Sequence, residues 1–190
     1  MKKRNAFTII EVVLVLAIAG LIFLMVFIAL PALQRSQRNT RRRQDVARIS
    51  SAVTTYYSNT GKMPFGKSTE LGMRYRLDYD FLKNYIDNNI DASSAVANQN
   101  SVDFAVGCES GKTCEEFSDP NGSVYQVSLA NASSSLSSDA SNNMNKIFFN
   151  ASRKCNTDGT TMSVSGGSAA SIYSVVVVLE GGALYCADNS

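Results

Sequence analysis

The feature that most constrains this chain is a run of nineteen residues without a polar side chain, from Val12 to Leu30. At a rise of about 1.5 Å per residue, a helix of this length spans about 28 Å, which is close to the ~30 Å hydrocarbon core of a bilayer. The rest of the sequence is polar and rich in serine and asparagine. The sequence therefore predicts a membrane-inserted N terminus that carries one exported domain.

Two ordinary signals compete for this segment. A cleaved secretory signal has an apolar stretch of about 7–15 residues and a small-residue cleavage site, and neither matches the long run or Ala29–Ala32. An uncleaved signal anchor explains the length and the basic start, but neither signal explains Glu11, directly before the apolar run. A charge near mid-membrane costs roughly 2.5–3.5 kcal/mol, so such a residue usually has a partner. The alternative is that Glu11 stays hydrated at the interface.

The residues around Glu11 form a more specific pattern, in which the basic leader Lys2–Ala6 precedes Phe7–Val13. This pattern resembles the prepilin signal of type IV pilins and pseudopilins. The resemblance implies that a prepilin peptidase cuts between Ala6 and Phe7 and methylates the new amine of Phe7. It also implies an assembly role for Glu11, facing the N terminus of a neighbouring subunit. The family usually has Gly before the cut, and Ala6 departs from that pattern.

The resemblance also implies a division of the chain. Residues 1–6 form the leader, residues 7–33 the membrane and filament-core half of a long helix, residues 34–60 its amphipathic half, and residues 61–190 a globular headpiece. We predict one helix from about Phe7 to Asn59, with Gly20 and Pro31 as points of flexibility. Its amphipathic half has an apolar stripe at three- and four-residue steps, formed by Val46, Ile49, Val53 and Tyr56 or Tyr57.

An arginine cluster follows the apolar run, formed by Arg35, Arg38, Arg41, Arg42 and Arg43. By the positive-inside rule these residues favour a cytoplasmic location, whereas the downstream cysteines favour export, which we adopt. The cluster is interpreted as a solvated helix face or as a partner for acidic headpieces of neighbours. Binding to phospholipid head groups, cell-wall phosphates or nucleic acid is a weaker alternative.

The headpiece is predicted to begin with a loop over Lys62–Gly66 and a short helix after Asp78, capped by Asp78 or Asp80. The soft stretch Ala130–Asn143 is expected to be an exposed loop. Helices first and strands last favour an α+β fold, with the long helix packed on a small antiparallel sheet. The predicted strands are Val102–Val106, Ser123–Leu129, Lys146–Asn150, Ile172–Leu179 and Ala183–Cys186.

Four cysteines in an exported chain favour two disulfides, and four cysteines allow three connectivities. We favour Cys108–Cys114, which closes a short loop, and Cys155–Cys186, which ties down the last strand. The second pair resembles the C-terminal disulfide loop of pilins. A zinc site is the alternative, but the chain has no Cys-x-x-Cys pair, so no metal and no cofactor are expected.

The chain has no histidine, which removes the usual catalytic dyads, and no paired-acid or nucleophile signature is present. We therefore expect no enzyme. The leading hypothesis is a subunit of a type IV pilus that serves adhesion, twitching motility or DNA uptake. It would be anchored in the membrane before assembly and extracellular afterwards, with other pilins, a prepilin peptidase and an inner-membrane assembly platform as partners. The alternatives are a minor pilin or pseudopilin of a secretion or competence apparatus, and a non-polymerising anchored binding protein.

Overall fold

A computed structural model describes residues 8–68, 74–91, 103–129, 144–151, 153–156, 162–164 and 172–189. Within these residues a long helix precedes a β-rich headpiece, which confirms the predicted α+β class. Residues 1–37 and 38–190 form two separate compact units. The predicted loop at 130–143 lies outside the described residues.

Helix α1 runs from Ile9 to Thr60 and includes both Gly20 and Pro31. Its predicted first residue, Phe7, lies outside the described residues. In the first unit the large apolar side chains of α1 are exposed, from 46% at Leu30 to 82% at Ile9. By length and composition, α1 is the one helix in the described part of the chain that would cross a membrane.

In the second unit, α1 presents a buried stripe to the headpiece. The predicted apolar residues Val46, Ile49 and Val53 are fully buried, and Tyr56 rather than Tyr57 completes the stripe. These positions recur every three or four residues, so they lie on one helix face. Their side chains join one hydrophobic core with Tyr125 and with the inner face of the sheet, including Ile147, Phe149, Tyr173 and Val175.

The second helix begins where the sequence predicted. Helix α2 spans Tyr79–Phe81 and continues as a π-helical turn over Leu82–Ile86. Asp78 is the N-cap, because its Oδ1 accepts hydrogen bonds from the backbone N–H groups of Asp80 and Phe81 at 3.1 and 3.4 Å. The sequence left Asp78 and Asp80 as alternatives, and the geometry selects Asp78.

The main sheet has five strands, which lie side by side in the order β3 (Asp103–Phe104), β4 (Gln126–Leu129), β5 (Lys146–Ala151), β8 (Tyr173–Val178) and β9 (Leu184–Asp188). Most neighbours are antiparallel as predicted, but β4 and β5 pair in parallel. Parallel neighbours need a crossover of a dozen or more residues, and the connection from residue 130 to 145 has that length.

Two small hairpins lie outside the main sheet, and the sequence analysis missed both. Strands β1 (Phe65–Ser68) and β2 (Arg74–Leu77) pair with each other, as do β6 (Arg153–Cys155) and β7 (Met162–Val164). The predicted loop at Lys62–Gly66 is wrong at its end, because Phe65 already pairs with Leu77. Burial of the Phe65 ring, whose centroid lies 4.7 Å from that of Phe149, fixes this segment against the sheet.

Two disulfides close the headpiece. Cys108 is bonded to Cys114, and Cys155 to Cys186, with Cα–Cα distances of 5.8 and 5.7 Å. This is the pairing that the sequence analysis favours among three. The second bond joins β6 to β9, so it ties one small hairpin to the edge strand of the main sheet.

Candidate functional site

The start of α1 is a reciprocal capping arrangement between Thr8 and Glu11. The backbone N–H of Thr8 donates to Glu11 Oε2 at 2.8 Å, and the backbone N–H of Glu11 donates to Thr8 Oγ1 at 3.3 Å. The Thr8 hydroxyl also donates to Glu11 Oε2, at 3.0 Å. Thr8 is the N-cap and Glu11 the third helical residue, which is the spacing of a capping box. The exposed carboxylate of Glu11, directly before the apolar run, therefore helps to cap the start of the helix.

Arg42 occupies an unusual place on α1, because its side chain is buried to 1% exposure on the stripe that faces the headpiece. Its Nε donates to Asp119 Oδ2 at 2.6 Å and its Nη2 donates to Asp119 Oδ1 at 3.0 Å. Asp119 is also buried. Two parallel charge-assisted bonds hold the turn before β4 on the helix with a defined geometry.

A second headpiece turn meets the same part of the helix. Arg38 donates to the two carboxylate oxygens of Glu180 at 2.5 and 2.8 Å, and Arg42 Nη1 donates to Glu180 Oε1 at 3.2 Å. Asn39 binds the backbone of Glu180, accepting from its N–H at 2.8 Å and donating to its carbonyl at 3.2 Å. We name Arg38, Asn39, Arg42, Asp119 and Glu180 the helix clamp.

The charges of the helix clamp affect the ionisation of Glu180. Hydrogen bonds from Arg38, with a further contribution from Arg42, lower the pKa of Glu180 to about 2. At neutral pH Glu180 is therefore a carboxylate held between two guanidinium groups.

One turn further along α1, burial raises the pKa of Asp45, and a hydrogen bond from the Tyr125 hydroxyl at 3.0 Å opposes that rise.

The helix clamp corrects part of the interpretation of the arginine cluster. The sequence predicts a solvated helix face or a partner for neighbouring subunits, but Arg38 and Arg42 bind acids of their own headpiece. Arg41 and Arg43 are exposed. The physical reason is position: Arg42 lies four residues before Val46 and therefore shares its face of the helix.

The comparisons with known proteins concern the other end of the helix. A family model, the prokaryotic N-terminal methylation motif, matches residues 1–27. This is the signal of type IV pilins and pseudopilins. The matched region includes Ala6, Phe7, Glu11 and Gly20. No curated protein and no solved structure matches significantly.

The methylation motif indicates a type IV pilin-like or pseudopilin protein, and it implies processing by a prepilin peptidase and assembly with other pilins. It suggests a structural rather than a catalytic role. The apolar half of α1 fits membrane anchoring before assembly. Among the predicted site residues, the structure places Glu11 against Thr8, whereas Ala6 and Phe7 lie outside the described residues.

Two groups of functional candidates were missed by sequence reasoning. The capping box was detectable, since Thr8-Ile9-Ile10-Glu11 has the Thr-x-x-Glu spacing directly before a helix. Only one half of the helix clamp was detectable, namely the position of Arg42 on the buried stripe, which is visible in the sequence. Its partner Asp119 is 77 residues away, and no local pattern connects them.

Proposed function

We propose that this chain is a structural subunit of a type IV pilus, cut between Ala6 and Phe7 and polymerised through α1. The observation that carries the proposal is the methylation motif at residues 1–27 joined to a helix whose apolar side chains are exposed from Ile9 to Leu33. Such a surface needs lipid around it in the membrane, and packed helices of other subunits in a filament. Catalysis has no place in this account.

Within that function, Glu11 pairs with the methylated amine of Phe7 of a neighbouring subunit. A carboxylate surrounded by apolar helices needs a cationic partner, and the sequence has no basic residue between Arg4 and Arg35. After cleavage, the Phe7 amine is the cation nearest to Glu11 in sequence. Both capping bonds that Thr8 donates engage one carboxylate oxygen, Oε2. Within the described residues, Oε1 therefore remains for the pair with the Phe7 amine.

The test of this role separates the charge of Glu11 from its capping function. Glu11→Ala removes both, whereas Glu11→Gln keeps a side-chain oxygen for the capping box and removes the charge. Thr8→Ala is the matched control, because it weakens the cap and leaves the acid. We expect both Glu11 variants to reach the membrane and to give no sheared filaments, while Thr8→Ala still assembles.

The amount of filament in the sheared fraction decides between outcomes. Normal filaments from Glu11→Gln would contradict the charge pairing, and loss of filaments from Thr8→Ala as well would assign the defect to the helix start. If wild-type cells contain the mature protein in their membranes but give no sheared filaments, the result would contradict a role as a pilus subunit and favour a pseudopilin. Immunoblots of membrane and sheared fractions measure both quantities.

A further inference from the structure

Opposite charges are separated along the second unit of the chain. Residues 38–50 have five arginines and one acid, whereas residues 78–119 have two lysines and nine acids. The subunit uses part of this complementarity internally, in the Arg42–Asp119 and Arg48–Glu116 pairs. The nine acids are Asp78, Asp80, Asp87, Asp91, Asp103, Glu109, Glu115, Glu116 and Asp119.

The exposed arginines leave α1 on two different sides. Successive residues of an α-helix are rotated by about 100°, so Arg41 and Arg43 lie on either side of the buried Arg42. Both are exposed. Arg43 lies on the side of β9, where its guanidinium carbon is 5.6 Å from the ring centroid of Tyr185. We call Arg43 and Tyr185 the basic flank.

The other side of α1 carries Arg41 and, seven residues later on the same helix face, Arg48, which meets an acidic segment of the headpiece. Arg48 binds the Glu116 carboxylate at 2.8 Å, and the Glu116 side chain is still 65% exposed. Glu115 beside it is also exposed, on the 3-10 helix Glu115–Phe117. We call Glu115 and Glu116 the acidic flank.

The two flanks lie at opposite edges of the main sheet. The 3-10 helix is fixed next to β4, since the N–H of Tyr125, one residue before that strand, donates to the Phe117 carbonyl at 3.0 Å. In the order β3-β4-β5-β8-β9, β4 lies toward one edge, and β9, which carries Tyr185, forms the other. The exposed Arg43 and the exposed carboxylates of the acidic flank therefore lie on different sides of the same subunit.

We propose that the basic flank of one subunit binds the acidic flank of the next copy of this chain. This contact rests on the proposed function, since it joins headpieces within a filament. It joins two different surfaces, and such heterologous contacts repeat into open helical assemblies when they do not close into a ring. Arginine suits the contact, because a guanidinium stacked on an aromatic ring can still bind a carboxylate through its N–H donors.

Charge reversal in the full-length protein tests the contact in filaments. We expect Arg43→Glu and Glu115→Arg each to lower sheared filament at least tenfold, with unchanged protein in the membrane. The double variant R43E/E115R should recover to within about threefold of wild type. The control is Lys62→Glu, which makes the same charge change at an exposed position beyond the end of α1 and should assemble normally. Normal assembly of R43E, or no recovery in the double variant, would overturn the proposal.

A cross-linking experiment tests the contact without depending on filaments. Membranes and sheared material from R43C/E115C cells are oxidised with copper phenanthroline and analysed on non-reducing gels. We expect a ladder of three or more linked subunits, while R43C alone and E115C alone give dimers at most. A ladder in membranes without filaments would support the contact and contradict a pilus. Filaments without a ladder would overturn the contact and leave the pilus proposal standing, and absence of both would overturn both.

Discussion

Arg42 on α1 and Asp119 on the turn before β4 form a buried bidentate ion pair, with Nε 2.6 Å from Oδ2 and Nη2 3.0 Å from Oδ1. Both side chains are at most 1% exposed. Desolvation offsets much of the attraction in such a pair, so its main effect is on geometry. The pair fixes where the headpiece sits on residues 38–60 of the helix.

Breaking this ion pair on one side should destabilise the headpiece strongly. Asp119→Ala leaves the Arg42 guanidinium buried, with Glu180 as its remaining acidic partner among the described residues. Loss of one partner of a buried pair costs about 3–5 kcal/mol. The double variant R42M/D119L removes both charges and should recover most of that loss. Urea unfolding of the detergent-solubilised chain, followed by tyrosine fluorescence, measures both. Equal stability of Asp119→Ala and wild type would contradict the Arg42–Asp119 contact of the helix clamp.

The helix clamp also predicts an acid-dependent loss of stability. The pKa of Glu180 is lowered to about 2 in the folded chain from an ordinary value of 4.5. A depressed carboxyl pKa stabilises the fold above the unfolded-state pKa, and that stability is lost as the pH falls through the folded-state pKa. We therefore expect the midpoint temperature of thermal unfolding to decrease as the pH is lowered from 4.5 to 2.

Glu180→Gln is the control for that titration. The variant should be less stable than wild type at pH 7, and the difference should shrink below pH 4.5 and be mostly lost at pH 2. Thermal unfolding across this pH range measures the difference. A constant difference from pH 7 to pH 2 would show that Glu180 acts through packing alone.

Two polar side chains in the centre of the sheet have no hydrogen-bond partner within the part of the chain that the structure describes. Asn150 on β5 and Ser174 on β8 are paired across the strands, and both are buried, at 1% and 0% exposure. An unsatisfied buried hydroxyl costs about 1–3 kcal/mol. Ser174→Ala should therefore raise the free energy of unfolding, by about 1 kcal/mol. Lower stability of this variant in urea would mean that the hydroxyl has a partner in solution.

Much of the fold was predictable from the sequence because the patterns that determine it are local. The Val46, Ile49 and Val53 stripe follows helical periodicity, and the capping role of Asp78 depends on residues two and three positions away. The parallel pairing of β4 with β5 was not predictable from the sequence. The length of the intervening segment permits a crossover, but it does not determine which edge the returning strand pairs with.

The helix clamp shows a different limit of sequence reasoning. The spacing from Arg42 to Val46 places a charged group on a buried stripe, and that placement requires a buried anion somewhere in the fold. The sequence offers sixteen acidic residues, and the choice of Asp119 and Glu180 depends on how two distant turns fold back onto the helix. Long-range partners of this kind follow from the tertiary structure alone.

The mass of the N-terminal peptide, measured on protein sheared from the cell surface without reduction, tests the central claim most directly. We expect a chain that begins at N-methylated Phe7, with an intact mass four hydrogen atoms below the reduced value because both disulfides are formed. That result requires cleavage after Ala6 and export into a filament fraction. A surface-exposed chain that still begins at Met1 would contradict the account, because an unprocessed Ala6–Phe7 bond leaves Glu11 without the amine that it is proposed to bind.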